Sequence, residues 1–441
     1  MISSYRQMNT VERAFKVIKN IIKNCIPTVF SLMMTGLYSV IDGLFIGRAT
    51  GDVGLAAINI AWPITAIITA IGIGIGSGGS VIFSNYLGKD DKEESDNVYH
   101  NTVILMLIAA IIITILLSIV FPMFLRISTG NNEEVFKQGY KYCKIIVMGC
   151  ILQLVGTGFI PLLRNMNLVI QAMIIMVLGM IINLISNYYL IFQIGLGIEG
   201  AAIGTILAQL VVTILSITLI YGYKRKRFRY SFNIKRSKRI IRTGLSSFGI
   251  SIAPSVALIF TNMQCLKYGG EAAVACYATI SYIVFPIQSM LCGVGEGVQP
   301  LLSYYNGAAK QKELEKICGI SKIIAVVIGI VAFMSVMFIV QEIPTWFGLS
   351  YEAERYFSKG MTISAFSFLI VGVVKFNSTY LYSTLKVKEA VKMIYGEALI
   401  VSPLLLWILP LFMKVDGVWL SLVSTFIVMQ CIYVIFFNKK K

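Results

Sequence analysis

Apolar segments alternate with short polar turns along the whole chain. Many of these segments reach about 20 residues, the length at which an α-helix crosses the hydrocarbon core of a bilayer. The pattern therefore predicts a multi-pass helical membrane protein, and the apolar stretches predict twelve transmembrane helices at 25–47, 55–80, 98–124, 138–160, 168–192, 198–222, 243–266, 273–300, 318–341, 357–382, 392–413 and 416–437. Residues 1–24 precede them, with apolar side chains on one helical side and basic ones on the other, which predicts an amphipathic helix on the membrane surface.

The second half of the chain repeats part of the first half at an offset of 219 residues. Eight residues recur with the same identity, namely Gly51, Ala56, Gly74, Gly76, Gly78, Ser84, Tyr86 and Gly88 as Gly270, Ala275, Gly293, Gly295, Gly297, Ser303, Tyr305 and Gly307. Six helices per half is an even number, so both halves insert with the same orientation. We therefore predict an all-α integral membrane protein with two pseudo-symmetric six-helix lobes, an N-lobe at 25–223 and a C-lobe at 243–441.

Charge is sparse and unevenly placed. The chain is 57% apolar and 13% charged, with a mean hydropathy of +0.80 and a net charge of +17. Lysine and arginine lie almost wholly in alternate loops and in the tails, which argues against a nucleic-acid partner and, by the positive-inside rule, places both termini in the cytoplasm. The one long basic linker, 224–242, joins the halves on that side, and binding of anionic lipid headgroups is a second role open to it.

Little in the sequence points to an enzyme or to a cofactor. The eight cysteines form no CxxC pair, and His100 is the only histidine. The glycine-rich run at 72–79 lacks the Lys-Ser/Thr of a phosphate-binding loop. We therefore predict no metal, no cofactor and no catalytic residue.

Asp42 is the first candidate for chemistry, because a carboxylate in hydrocarbon is costly and by default marks a functional site. Met34 and Tyr38 precede it at spacings of four residues, so the three side chains share one helical face. Pro27 lies near the start of the same predicted helix. A proline has no backbone N–H to donate, so one helical hydrogen bond is absent and the helix can bend there. The alternative is a structural acid near the membrane edge, since Asp42 lies about six residues from the turn.

Other polar residues interrupt later apolar runs. Asn183 and Asn187 are four residues apart in the fifth predicted helix, and Thr205 follows in the sixth; such groups often serve only to bridge helices. Glu296 lies among the glycines of the eighth helix, where site and structural roles stay open. Lys375, in the middle of the tenth helix, is placed to pair with a buried acid.

The chain resembles the multidrug and toxic compound extrusion (MATE) transporters, in particular the bacterial branch with MepA-like and DNA-damage-inducible F-like members. The resemblance covers nearly the whole chain and rests on Pro27, LYSVIDGLFIG at 37–47, GLAA at 54–57, the glycines of the second helix with YLG at 86–88, EGAAIGT at 199–205 and GEGVQPLLSYYNGA at 295–308.

The resemblance implies a secondary active antiporter that exchanges protons or sodium ions for organic, often cationic, compounds by alternating access. It also implies that the coupling ion binds a polar cluster of the N-lobe, which maps onto Tyr38, Asp42, Asn183, Asn187 and Thr205. Many relatives carry an aspartate where this chain has Asn187, so one carboxylate remains and proton coupling is favoured over sodium. Acids that relatives carry in helices 7 and 10 are absent here, where Pro254, Ser255, Lys375 and Asn377 stand.

We expect an efflux protein of a bacterial or archaeal plasma membrane that works as a monomer. Candidate contacts for an amphipathic cation are Met34, Tyr38, Asp42, Phe285, Met290 and Glu296. A flippase for lipid-linked precursors, built on a related two-lobe fold, is the alternative; a membrane enzyme or receptor is a third hypothesis, for which the sequence offers no catalytic constellation.

Overall fold

The computed structural model describes residues 10–130, 132–224, 232–347 and 351–437, and in these ranges the chain forms helices joined by short turns. In chain order the helices are α1 Thr10–Gly88, α2 Lys92–Thr129, α3 Glu133–Met148, α4 Cys150–Asn165, α5 Val169–Tyr188, α6 Gly197–Lys224, α7 Ile234–Gly307, α8 Gln311–Ile339, α9 Ile343–Phe347, α10 Tyr351–Ala365, α11 Phe368–Ser383, α12 Val387–Gly396, α13 Ser402–Met413 and α14 Val415–Ile432. Single π-helical turns follow α5, α12 and α14 at Tyr189–Gln193, Glu397–Val401 and Tyr433–Phe437.

The prediction of an all-helical membrane protein is confirmed. Within the described ranges, nine helices are long and apolar enough to cross a membrane, and eleven if the bent pairs α3/α4 and α10/α11 each count as one span. Helix α7 is 74 residues long and is broken at Gly270, so counting its two arms separately gives the twelve predicted spans. The predicted spans 138–160 and 357–382 are bent by 59° and 47°.

The sequence repeat is also a repeat of backbone conformation. Gly51 breaks α1 with φ 61° and ψ −159°, and Gly270 breaks α7 with φ 66° and ψ −161°. Glycine enters this left-handed region without the steric penalty of a β-carbon, which explains why both positions hold it. Three further positive-φ positions recur at offsets of 217 to 219 residues, namely Asp90 and Ala309, Asn167 and Leu385, and Gly197 and Lys414.

The chain divides into two compact units that are not contiguous in sequence. The first unit comprises Met34–Leu87 and Asp91–Ile252, and the second comprises Met1–Met33, Gly88–Asp90 and Ala253–Lys441. Each unit therefore contains the first part of a helix from the other half of the sequence. The lobe boundaries drawn from the sequence stay a prediction, and residues 1–9 of the predicted surface helix and 225–231 of the predicted linker lie outside the described ranges.

Glycines allow these first helix segments to pack closely within their units. In the first unit, a β-carbon on Gly78 would lie 2.9 Å from the Cα of Gly244 in α7. In the second unit, a β-carbon on Gly297 would lie 2.8 Å from the Cα of Cys25 in α1. These four residues are two pairs related by the 219-residue offset, so the same backbone contact occurs once in each unit with the roles of the halves exchanged.

Gly76, the middle glycine of the repeat, packs within its own half. A β-carbon there would lie 2.1 Å from the carbonyl oxygen of Gly158 in α4, and its three nearest neighbours are all backbone atoms. Backbone cannot yield as a flexible side chain does, so the two helices approach closely only while residue 76 is glycine.

We predict that Gly76→Ala lowers stability by about 1–3 kcal/mol, the usual range for overpacking a close contact. Gly319→Ala is the matched control, since a β-carbon there meets no atom within 4 Å. Because alanine favours helix over glycine, the control should be neutral or stabilised by up to about 1 kcal/mol. Thermal unfolding of both purified variants in detergent measures the difference; equal melting temperatures would contradict the close packing.

Candidate functional site

Four of the five predicted ion-coupling residues form one hydrogen-bonded chain in the first unit. Asn187 of α5 donates from Nδ2 to Asp42 Oδ1 of α1 over 2.5 Å and to Asn183 Oδ1 over 2.9 Å. Asn183 in turn donates to Thr205 Oγ1 of α6 over 3.3 Å. The spacing of four residues puts both asparagines on one face of α5, which is why a single helix bridges α1 and α6.

Two tyrosines complete this polar cluster. Tyr38, the fifth predicted residue, lies one turn before Asp42 and within hydrogen-bond reach of Thr205. Tyr142 of α3 is buried and lies close enough to Asp42 to interact with it electrostatically. Tyr142 was not predicted from the sequence, because nothing in its local pattern separates it from the other tyrosines of the chain.

Burial is graded across the cluster. Asn183 and Asn187 are 2% and 1% exposed, whereas Asp42 and Tyr38 are only partly buried. The amides therefore form a buried inner wall, and Asp42 and Tyr38 lie on its less buried side.

One acceptor in this wall lacks a donor. Asn187 Oδ1 is buried and has no hydrogen-bond partner among the residues described. It lies against Gly204 of α6, where a β-carbon would stand 2.0 Å away from it. Gly204 thus makes room for the amide, and the free oxygen is available to a water molecule or a cation.

The cluster carries one uncompensated charge. Asp42 takes part in none of the ion pairs formed by the described residues, and its hydrogen-bond donor is the neutral amide of Asn187. An ionised carboxylate at this depth requires a proton or a cation to balance it. The arrangement can therefore alternate between a protonated and an ionised, cation-binding form.

The backbone stays helical at the predicted hinge, Pro27. Helix α1 leaves helical geometry only at Gly51, and Pro27 is buried within a continuous helical stretch. Nearby, the Thr28 hydroxyl donates to the Asn24 carbonyl over 2.9 Å. A hinge role for Pro27 stays a prediction.

The second unit holds a different set of charged residues. Lys375 of α11 donates to Glu397 Oε1 over 2.6 Å, and their side chains are only 15% and 10% exposed. Tyr382 donates to Glu296 Oε1, also over 2.6 Å. The expected acid partner of Lys375 is thus Glu397, which the sequence analysis overlooked although it is an acid inside a predicted span.

The remaining predicted substrate contacts are distributed over both units. Met34 shares its helical face with Tyr38 and Asp42 in the first unit, whereas Phe285 and Met290 precede Glu296 on α7 in the second; all are partly buried. Their contact with a substrate stays a prediction. Among the described residues, no group of three histidine, cysteine or acidic side chains is arranged to hold a metal ion.

Comparison with known proteins agrees with this architecture. The chain is 24% identical to the multidrug export protein MepA of Staphylococcus haemolyticus over 423 residues, which is 90% of this chain and 88% of MepA. It is 24% identical to an FAD transporter of Shewanella oneidensis over 364 residues, which is 79% of this chain and 78% of that protein.

The fold matches that of a solved MATE transporter. The crystal structure of VcmN from Vibrio cholerae superposes with a TM-score of 0.88 at 18% identity, covering 96% of each chain. The family model named MatE matches residues 27–189 and 247–408, one stretch in each half of the sequence. The chain therefore belongs to the MatE family of multidrug and toxic compound extrusion proteins, and it is a membrane transporter with their two-lobe, twelve-helix fold, not an enzyme.

Proposed function

We propose that this protein is an antiporter that exports organic cations in exchange for protons by alternating access. The observation that carries the proposal is the setting of Asp42, an acid within a span that accepts a hydrogen bond from Asn187 and forms no ion pair with any described residue. A proton and an organic cation would compete for this one negative charge, and such competition couples their movements.

In this mechanism, Asp42 takes a proton while the site faces outward. The neutral carboxyl accepts the Asn187 hydrogen bond less strongly and no longer attracts a cation, so the substrate leaves. The first arm of α1 then bends near Pro27, and the proton is released to the cytoplasm. Exchange of one proton for one monovalent cation moves no net charge, so the pH difference drives it: each pH unit supplies about 1.4 kcal/mol and sustains a substrate gradient of about tenfold.

The composition of the site favours protons over sodium ions. A sodium ion in a protein needs several hard oxygen ligands and benefits from more than one negative charge. Asn187 supplies a neutral oxygen where a second carboxylate would strengthen such a site. Sodium coupling is the second candidate, supported by the buried Asn187 Oδ1, an oxygen of the same cluster that has no hydrogen-bond donor among the described residues.

The choice of a cationic substrate rests on the acids within the spans, and the export of drugs rests on MepA, a multidrug export protein by name. Another relative is named an FAD transporter, and FAD is an anionic compound, so the name of a similar chain points to an anionic substrate. A flippase for lipid-linked precursors, the alternative substrate class, would also need cations to hold its anionic headgroups. Lys375, the candidate for that task, is already paired with Glu397.

For the setting, we propose a bacterial or archaeal plasma membrane, both termini in the cytoplasm and a monomeric working unit. The orientation follows from the lysine and arginine bias of the alternate loops. A monomer suffices because the cluster around Asp42 is complete within one chain.

We predict that Asp42→Asn abolishes pH-driven transport of ethidium in proteoliposomes, because the amide keeps the shape of the carboxylate but cannot take up the proton. Asp416→Asn is the control, since Asp416 is an acid in the pair with Lys359, whose side chain is 65% exposed. Imposed pH and sodium gradients are applied separately. Transport by Asp42→Asn at the wild-type rate would refute the role of Asp42, and wild-type transport that follows only sodium would refute proton coupling.

We predict that Asn187→Asp makes transport responsive to a sodium gradient. The second carboxylate would stand within 2.5 Å of Asp42 Oδ1, and two adjacent carboxylates are stabilised by a shared cation. Asn132→Asp adds the same charge in the exposed turn between α2 and α3, outside the spans, and should leave coupling unchanged. The measurement compares initial ethidium fluxes with and without an inward sodium gradient; an Asn187→Asp protein that ignores sodium would contradict the prediction.

A further inference from the structure

The charged residues of the second unit form a cluster that the coupling mechanism does not use. Lys375 lies on α11, Glu397 begins the π-helical turn after α12, and Glu296 lies on the second arm of α7. The second arm of α7 packs closely against α11 at this level, since a β-carbon on Gly295, next to Glu296, would lie 2.7 Å from Oγ1 of Thr379, one turn after Lys375. Three separate helical segments thus bring these charges into one region of the second unit.

The charges in this cluster do not cancel. Lys375 pairs with Glu397 at 2.6 Å, whereas Glu296 accepts a hydrogen bond from the neutral hydroxyl of Tyr382. Glu296 belongs to none of the ion pairs made by described residues. The ammonium group of Lys375 is thus used by Glu397, and Glu296 is left as the acid that a further cation can balance.

The groups around the Lys375 ammonium are of the kind that proteins use to bind ammonium ligands. Its nitrogen lies 5.6 Å from the centre of the Phe426 ring, within the range of a cation–π interaction. An aromatic face combined with buried carboxylates is the usual chemistry by which proteins bind organic ammonium groups. Glu397 also begins a π-helical turn, a feature that is frequent at functional sites.

The cluster does not come from the repeated scaffold. At the offsets of 218 and 219 residues, the counterparts of Lys375, Glu397 and Glu296 in the first half are Thr157, Gly179 and Ser77. The first half thus carries no charge at any of the three places. A purely structural need of the scaffold would apply to both halves, so the charges have a task specific to the second unit.

We propose that Glu397, Glu296 and Phe426 form a binding site for the ammonium group of an organic amine, and that the side chain of Lys375 is its resident, tethered occupant. This inference rests on the proposed function and deepens it, because the exported cation would displace Lys375 from Glu397 in order to bind. In the absence of substrate, the Lys375 side chain keeps the carboxylates of the site from being unpaired. A substrate must bind more tightly than this alkylammonium group in order to displace it.

The test is an equilibrium titration of the purified protein with dansylcadaverine, a fluorescent primary alkylamine. Lys375→Met keeps the length of the side chain and removes the competitor. If Lys375 occupies the site nine-tenths of the time, its removal tightens binding by about tenfold, because apparent affinity scales with the free fraction of the site. N-acetylated dansylcadaverine, which is neutral, should show no gain. Unchanged or weaker binding of the amine by Lys375→Met would overturn the proposal.

A second variant covers the case in which Lys375→Met does not fold. Glu296→Gln leaves the Lys375–Glu397 pair intact and should weaken binding of dansylcadaverine by about tenfold, the effect of losing one charge-assisted contact. Wild-type affinity in Glu296→Gln would overturn the proposal. The titration needs no gradient, so a wild-type protein that binds the amine but shows no pH-driven transport would count against the proposed antiport alone.

Discussion

The cost of holding a charge within hydrocarbon governs this structure. Every carboxylate or ammonium group inside a span must find a donor, a counter-charge or a proton, since a bare ion there is strongly unfavourable. Asp42 is held by the amide of Asn187, and Lys375 is held by Glu397. The two units thus meet the same constraint differently: one holds its acid with a neutral amide donor, and the other pairs an acid with an ammonium group.

Much of the fold was predictable from the sequence because membrane helices are dictated by a one-dimensional property, the length of an apolar run. The twelve spans and the glycine repeat follow from that pattern. The bends within 138–160 and 357–382 were not predictable, since a bent span and a straight one have the same composition. The contacts of Gly78 with Gly244 and of Gly297 with Cys25 were not predictable either, because they join residues far apart in the chain.

The site was predictable only in part, for a related reason. Asp42 and Lys375 stand out as charges in apolar runs, but their partners are chosen by tertiary packing. Asn187 was named on the strength of the family resemblance, and its hydrogen bond to Asp42 agrees with that choice. Tyr142 comes from another helix and carries no charge, so no local signal marks it. Glu397 carries such a signal and lies near the start of its predicted span, where acids are common.

The contacts between glycine-rich helix faces have a mechanical consequence. Helices usually interlock through ridges of side chains that fit the grooves of the neighbour, and sliding then requires each ridge to leave its groove. At the contacts of Gly78 with Gly244 and of Gly297 with Cys25, the backbones of the two helices touch directly. At these contacts, few side chains have to move when one helix slides or rotates along the other. In each unit, these contacts therefore offer little steric resistance to the sliding of a helix that begins in the other half of the sequence.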